Sequence, residues 1–239
     1  ISQESQFHKV SKAISDRSTS CPYLDTINRN MLDFDFEKLC SVSLTHLNVY
    51  ACLVCGQYYQ GRNKNSYAYL HSIELSHHVW INLSTLRFYC LPDNYEIIDT
   101  ALNDIKNVLC PTFDLNKILA LDDSSRMSRA LDGTMFYPGL VGINNIRETD
   151  YMNVILHCLL FVKPLRNFFL TEENYLHINV SPSDLLFALA VRFGELARKV
   201  WNPNNFKAHV SPHEMVQAIV KVSGKKFSID KQADPLEFL

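Results

Sequence analysis

The chain has 239 residues, 47% of them hydrophobic and 20% charged, with 23 basic against 25 acidic side chains and a net charge of −2. This composition excludes wholesale disorder and a polybasic coat for non-specific nucleic-acid binding, and the length suits one large domain or two small ones. No apolar run reaches the roughly 18 residues a membrane helix needs, so no membrane partner is expected.

Residues 1–20 are polar and serine-rich, with no sustained hydrophobic period and no apolar signal-peptide core. They are expected to form a flexible N-terminal arm, and secretion is not expected. From Cys21 to about Thr112 the texture becomes aromatic and β-branched. NVYACLV (48–54), HHVWINL (77–83) and LRFYCL (86–91) read as short strands. DTALNDIKNVL (99–109) reads as a helix, because Leu102, Ile105 and Leu109 recur at helical spacing. Residues 113–136, with their polar run LDDSSRMSRALDG, read as a connector.

Residues 137–239 have a helical pattern. TDYMNVILHCLLFVKP should be one helix ending before Pro164, since the residue before a proline avoids helical dihedrals. PSDLLFALAVRFGELARKVW should be a second. SPHEMVQAIVKV should be a third, with Ser211 as N-cap, Pro212 in the first turn and Glu214 completing a capping box. A further helix should start at DPLEFL (234–239), with Asp234 as cap and Pro235 first. Its short length implies that the chain is part of a longer protein. The fold class expected is α+β.

Five of the seven cysteines lie between positions 21 and 90, and the odd total points to reduced thiols and a metal rather than a disulfide framework. Cys52 and Cys55 form C-x2-C, followed by His71 and then His77. That spacing suits one structural zinc ion, for which two thiolates and two imidazoles are ligands of matching softness. Cys21, Cys40, Cys90 and His78 do not complete a second set; Ser43 and Asp93 stand where C-x2-C partners would be. Buried structural thiols are the expectation there, with Cys110 and Cys158 as core residues. His157, His177, His209 and His213 are expected at the surface or in the core. A base-reading finger is disfavoured, because residues 56–70 carry only Arg62 and Lys64 as cations.

The stretch GINNIRETDYMNVILHCL (142–159) resembles the nucleophile box of the ubiquitin-specific proteases, G-L-x-N-L-G-N-T-C-Y-M-N-S-x-L-Q-x-L. Gly142, Asn145, Thr149, Tyr151, Met152, Asn153 and Leu156 agree, while Asp150 replaces the nucleophilic cysteine and Arg147, Glu148 and His157 also depart. QADPLEFL (232–239) resembles a second box of that family, and residues 21–112 resemble its UBP-type zinc finger. Taken with CPYLDT, LDFDFEKLC and CLVCGQYYQGR, the chain resembles the inactive, spliceosome-associated branch of these proteases.

The resemblance implies a small zinc-bound finger followed by the helical N-terminal part of a papain-like fold (137–239), truncated before the family's catalytic histidine. It implies a non-catalytic scaffold in the nucleus that supports the tri-snRNP in pre-mRNA splicing, with tri-snRNP proteins as partners and small nuclear RNA met at most indirectly. Asp150 is expected to cap the helix that follows it, and Asn145, the family's oxyanion donor, to serve the loop. Arg62 matches the arginine with which related fingers grip the ubiquitin tail, and Tyr89 stands near a position where a tryptophan is expected. With so few matches, a ubiquitin reader is the alternative rather than the main expectation.

Overall fold

A computed structural model describes residues 17–18, 20–122, 127–178, 181 and 183–239, so most of the expected arm lies outside the described residues. The chain divides into two compact units: residues 1–34 with 38–106, and residues 35–37 with 107–239.

The first unit is built on a sheet. Its strands are β1 (Arg17–Ser18), β2 (Val49–Cys52), β3 (Tyr58–Gln60), β4 (Val79–Asn82), β5 (Phe88–Cys90) and β6 (Tyr95–Ile97), in the order β1-β6-β5-β4-β2-β3. β1 joins β6 in parallel and all other pairings are antiparallel. Helix α1 (Tyr67–Glu74) connects β3 to β4, and α2 (Asn103–Leu109) follows β6. β2 and β4 are buried along their whole length, as a β-branched and aromatic run requires when both faces are covered. Trp80 is fully buried, and its indole N–H donates to the His77 carbonyl at 2.8 Å.

Four turns in this unit share one geometry. At Cys40–Leu44, Cys52–Gly56, Asn82–Leu86 and Cys90–Asn94, the fifth residue's N–H donates to the first residue's carbonyl, at 2.7 to 3.1 Å. The fifth residue is left-handed each time, with φ of 54° at Leu44, 77° at Gly56, 57° at Leu86 and 62° at Asn94. The first side chain accepts backbone N–H groups: Cys40 Sγ from Ser43 and Gln60, and Asn82 Oδ1 from Ser84 and Thr85. A β-carbon on Gly56 would stand 2.2 Å from the Met31 carbonyl oxygen, so glycine is required there. Leucine in the left-handed region costs roughly 1–2 kcal/mol.

The second unit is mainly helical. It contains α3 (Leu115–Ala120), the pairs β7 (Ser128–Arg129) with β8 (Met135–Phe136) and β9 (Gly142–Ile143) with β10 (His209–Val210), α4 (Asp150–Phe161), α5 (Lys163–Leu170), α6 (Glu173–Leu176), α7 (Leu185–Val200), α8 (His213–Val222) and α9 (Pro235–Phe238). Its core joins Met152, Leu156 and Leu160 of α4 to Leu196, Ala197 and Val200 of α7 and Val216 and Ile219 of α8. The stretch expected as a connector carries α3, β7 and β8.

The helix that starts at Asp150 ends at Phe161, before Pro164 as expected; Val162 is extended, and a further helix, not expected from the sequence, opens at Lys163, with Pro164 in its first turn, where its missing N–H costs nothing. Two local expectations are corrected. The capping box at Ser211 does not form. Ser211 Oγ accepts from Asn144 at 2.7 Å, its N–H donates to Asp35 at 2.8 Å, and Glu214 pairs with Arg192. Cys158 is exposed and Cys110 half-buried, so neither is a core residue. Asp234 caps its helix as expected, and Asp184, not expected as a cap from the sequence, caps α7; each accepts from N–H groups in the first turn. Among the described residues no single helix is long and apolar enough to cross a membrane.

Candidate functional site

Cys52 ends β2, Cys55 lies in the turn that follows, His71 is on the inner face of α1 and His77 sits just before β4. Their four ligand atoms lie within 4.8 Å of one another. His71 Nε2 is 3.4 Å from Cys55 Sγ and 3.0 Å from His77 Nδ1, and Cys52 Sγ is 3.5 Å from His77 Nδ1. Tetrahedral zinc with ordinary bond lengths sets such nitrogen–sulfur pairs about 3.6 Å apart and the nitrogen pair about 3.4 Å apart. Two thiolates and two imidazole nitrogens converging on one point form the donor set of a tetrahedral zinc ion. The Cys55 thiol is pushed down to about 4, first by the hydrogen bond from Cys52, while that same contact and burial push Cys52 up. Cys52, Cys55, His71 and His77 are positioned to hold a zinc ion. Tyr59 stacks on His71 at 4.5 Å and Trp80 meets its edge at 5.4 Å, which fixes the ring plane.

The other thiols and histidines fall elsewhere. Burial pushes the Cys90 thiol up to about 12, as suits an inert packing residue. His78 Nδ1 is bonded to the Leu91 carbonyl at 2.8 Å. Cys21 and Cys40 are buried, and Cys40 is occupied by the N–H groups of Ser43 and Gln60. His157 and His213 are half-buried and His177 and His209 exposed.

Arg62 and Tyr89, far apart in sequence, come together. The guanidinium lies 4.2 Å above the Tyr89 ring and donates to Asn94 Oδ1. Asn94 belongs to the fourth repeated turn and had no sequence signal as a partner of Arg62. A guanidinium held over an aromatic face keeps its remaining donors oriented for a carboxylate or a carbonyl.

In the stretch 142–159, Asp150 is the first residue of α4, not its cap; Thr149 takes that place without a side-chain capping bond. The Asp150 carboxylate accepts instead from Gln232 Nε2 at 2.7 Å, which draws together the two motifs read in the sequence. Asn145 Oδ1 accepts from the Thr149 N–H at 3.0 Å and its hydroxyl at 3.2 Å, a loop-closing role. Arg147 is left-handed at φ 48° and bonds Asp230 at 2.7 Å. A carboxylate at a helix N-terminus is favoured by the dipole, which also weakens it further as a nucleophile toward an amide.

A family model described as Zn-finger in ubiquitin-hydrolases and other protein matches residues 40–102, and one described as Ubiquitin carboxyl-terminal hydrolase matches residues 141–239. The chain is similar to Ubiquitin carboxyl-terminal hydrolase 39 of Homo sapiens, at 62% identity over 93% of this chain and 40% of the relative. It is similar to Probable mRNA-splicing protein ubp10 of Schizosaccharomyces pombe, at 48% identity over 100% of this chain and 45% of the relative. Among solved structures it is similar to one described as the crystal structure of an essential yeast splicing factor, with TM-score 0.78 and 35% identity over 92% of this chain and 53% of that one. The chain spans less than half the length of these curated relatives.

Proposed function

We propose, from the premise that the chain joins a UBP-type zinc finger to part of a ubiquitin carboxyl-terminal hydrolase domain, that it belongs to a non-catalytic scaffold of the spliceosome. In this reading it acts in the nucleus and supports assembly or stability of the tri-snRNP during pre-mRNA splicing. The observation that carries the non-catalytic part is Asp150, seated at the first position of α4 and hydrogen-bonded to Gln232 where the family places its thiol. The name of the Schizosaccharomyces pombe relative, an mRNA-splicing protein, and the description of the similar solved structure, a splicing factor, support the process.

Each part of the chain then has a structural task. When bound, zinc cross-links β2, α1 and the approach to β4, giving a small sheet unit the rigidity its own core supplies only in part. The helical unit keeps its core and the loop closure at Asn145 without an intermediate to stabilise. The test is turnover of a ubiquitin–fluorophore substrate by the full-length protein and its Asp150→Cys variant. Neither should release fluorophore, because Arg147 and Glu148 also alter the approach to position 150. Turnover by the unmodified protein would overturn the reading.

The Arg62–Tyr89 pair supports a second reading, a finger that binds the free tail of ubiquitin without cleaving it. Its measure is titration with ubiquitin bearing a free C-terminus, with binding lost in Arg62→Ala.

A further inference from the structure

We propose that a cavity in the helical unit, built around the buried Arg166, is a docking site for an acidic peptide: a segment of a protein partner that carries an internal Asp or Glu beside an apolar side chain. Such a site would give the scaffold a point of attachment, whatever process it serves. The cavity measures about 530 Å³, and Phe113, Tyr137, Leu140, Phe161 and Trp201 supply its apolar wall. Arg166, on α5, also lines it and is only 4% exposed.

A guanidinium taken out of water is costly unless its N–H groups find acceptors. Two of the three nitrogens of Arg166 have them: Nε donates to Asn167 Oδ1 and Nη2 to Asp122 Oδ1, each at 2.9 Å. Among the described residues Nη1 has no hydrogen-bond partner. The group is held in place, because its central carbon lies 4.6 Å from the centre of the Trp201 ring, and that indole is itself fixed by donating to the Leu160 carbonyl at 3.2 Å. A preoriented N–H group on the wall of an apolar cavity is a donor waiting for an acceptor that a ligand brings.

Charge selects the acceptor. Arg166 and Lys117 line the cavity, and Asp122 is the one carboxylate among the described residues that do. Lys163 shares that carboxylate at 2.6 Å, so three cations stand against one anion and the site favours an incoming negative charge. Lys117 is steadied at the rim by donating to the Thr112 carbonyl at 3.1 Å. The walls favour a carboxylate over a nucleic acid. RNA binding calls for several unpaired cations and an open aromatic face for a base. Here two of the cations are paired with Asp122, and the Trp201 ring is covered by Arg166 and by Phe161 at 5.4 Å. An acidic peptide supplies a carboxylate for Nη1 and an aliphatic or aromatic side chain for the wall. Free chain termini are captured by nests of backbone N–H groups rather than by the edge of one guanidinium, so the carboxylate is that of an Asp or Glu side chain.

The experiment screens the full-length protein against an array of acetylated, amidated peptides in which Asp or Glu adjoins Leu, Phe or Trp, each beside its Asn or Gln counterpart, with a fluorescent oligouridine measured in parallel. Acidic peptides should bind, and their amide counterparts should bind about ten-fold or more weakly, as the loss of a charge-assisted hydrogen bond requires. Arg166 is part of the packing, so the site is probed through its exposed rim. Lys117→Ala and Leu140→Ser should melt at the wild-type temperature, and both should weaken the acidic peptides. Absence of binding by every acidic peptide would overturn the proposal, as would equal binding of acid and amide forms or binding unchanged in both variants. Oligouridine binding that is lost in the same variants would make RNA the occupant and overturn it too. None of these results alters recovery of the tri-snRNP, which tests the splicing reading separately.

Discussion

Single side chains divide between those whose chemistry is spelled out by spacing and those whose partners come from elsewhere in the fold. The quartet Cys52, Cys55, His71 and His77 is of the first kind, because a C-x2-C turn and two histidines with five residues between them match a zinc spacing. Replacing Cys55 by serine should reduce bound zinc from one ion per chain to near zero, as read by elemental analysis, and should unfold the sheet unit at lower temperature. Asp150, Arg62 and Asp122 are of the second kind. Asp150 read as a helix cap, and only the fold reveals that Gln232 takes its carboxylate. Asp122 has no motif at all, yet Lys163 at 2.6 Å and Arg166 at 2.9 Å hold its carboxyl below the usual range, the lysine contact contributing most. A folded-state value below the unfolded one stabilises above the unfolded pKa and is lost as pH falls through the folded value. Wild-type protein should therefore exceed Asp122→Asn in urea midpoint at neutral pH, and the gap should close as pH falls below about 4.

At the scale of elements, legibility followed burial. β2, β4 and β5 were readable because their residues are apolar and buried. β3 and β6 are as short as β5, but each buries only one of its three residues, so no apolar run marks them. α1 escaped notice for a different reason: Tyr67, Leu70 and Ile73 face solvent, while Ala68, His71 and Ser72 face inward, so the hydrophobic period marks the wrong side. The end of α4 before Pro164 was legible but the start of α5 was not, because a proline reads equally well as a stop and as a first turn.

Gly194, inside α7, shows how tertiary packing overrides local preference. Alanine is the better helix former by about 1 kcal/mol. A β-carbon at 194, however, would stand 2.1 Å from Tyr175 Oη, in a buried cluster where Arg198 bonds that hydroxyl and the Phe169 carbonyl. Gly194→Ala should thus destabilise, by roughly 1–3 kcal/mol in chemical denaturation, because it displaces a buried hydrogen-bonded group. A stabilised variant would mean that Tyr175 and Arg198 re-form their contacts freely.

For the molecule as a whole, two units were visible as a change in texture, from cysteine- and aromatic-rich strands to helical periods. The boundary was less so, because α2 runs across the division between residues 106 and 107. The central claim is that protease-derived architecture persists here as a scaffold for splicing. The measurement that tests it most directly is affinity purification of the tagged full-length protein from nuclear extract at moderate salt, reading the small nuclear RNAs and proteins recovered. Enrichment of tri-snRNP RNAs with their core proteins is the predicted result. Recovery of ubiquitin conjugates without those RNAs would contradict the account and shift the function to the Arg62–Tyr89 surface.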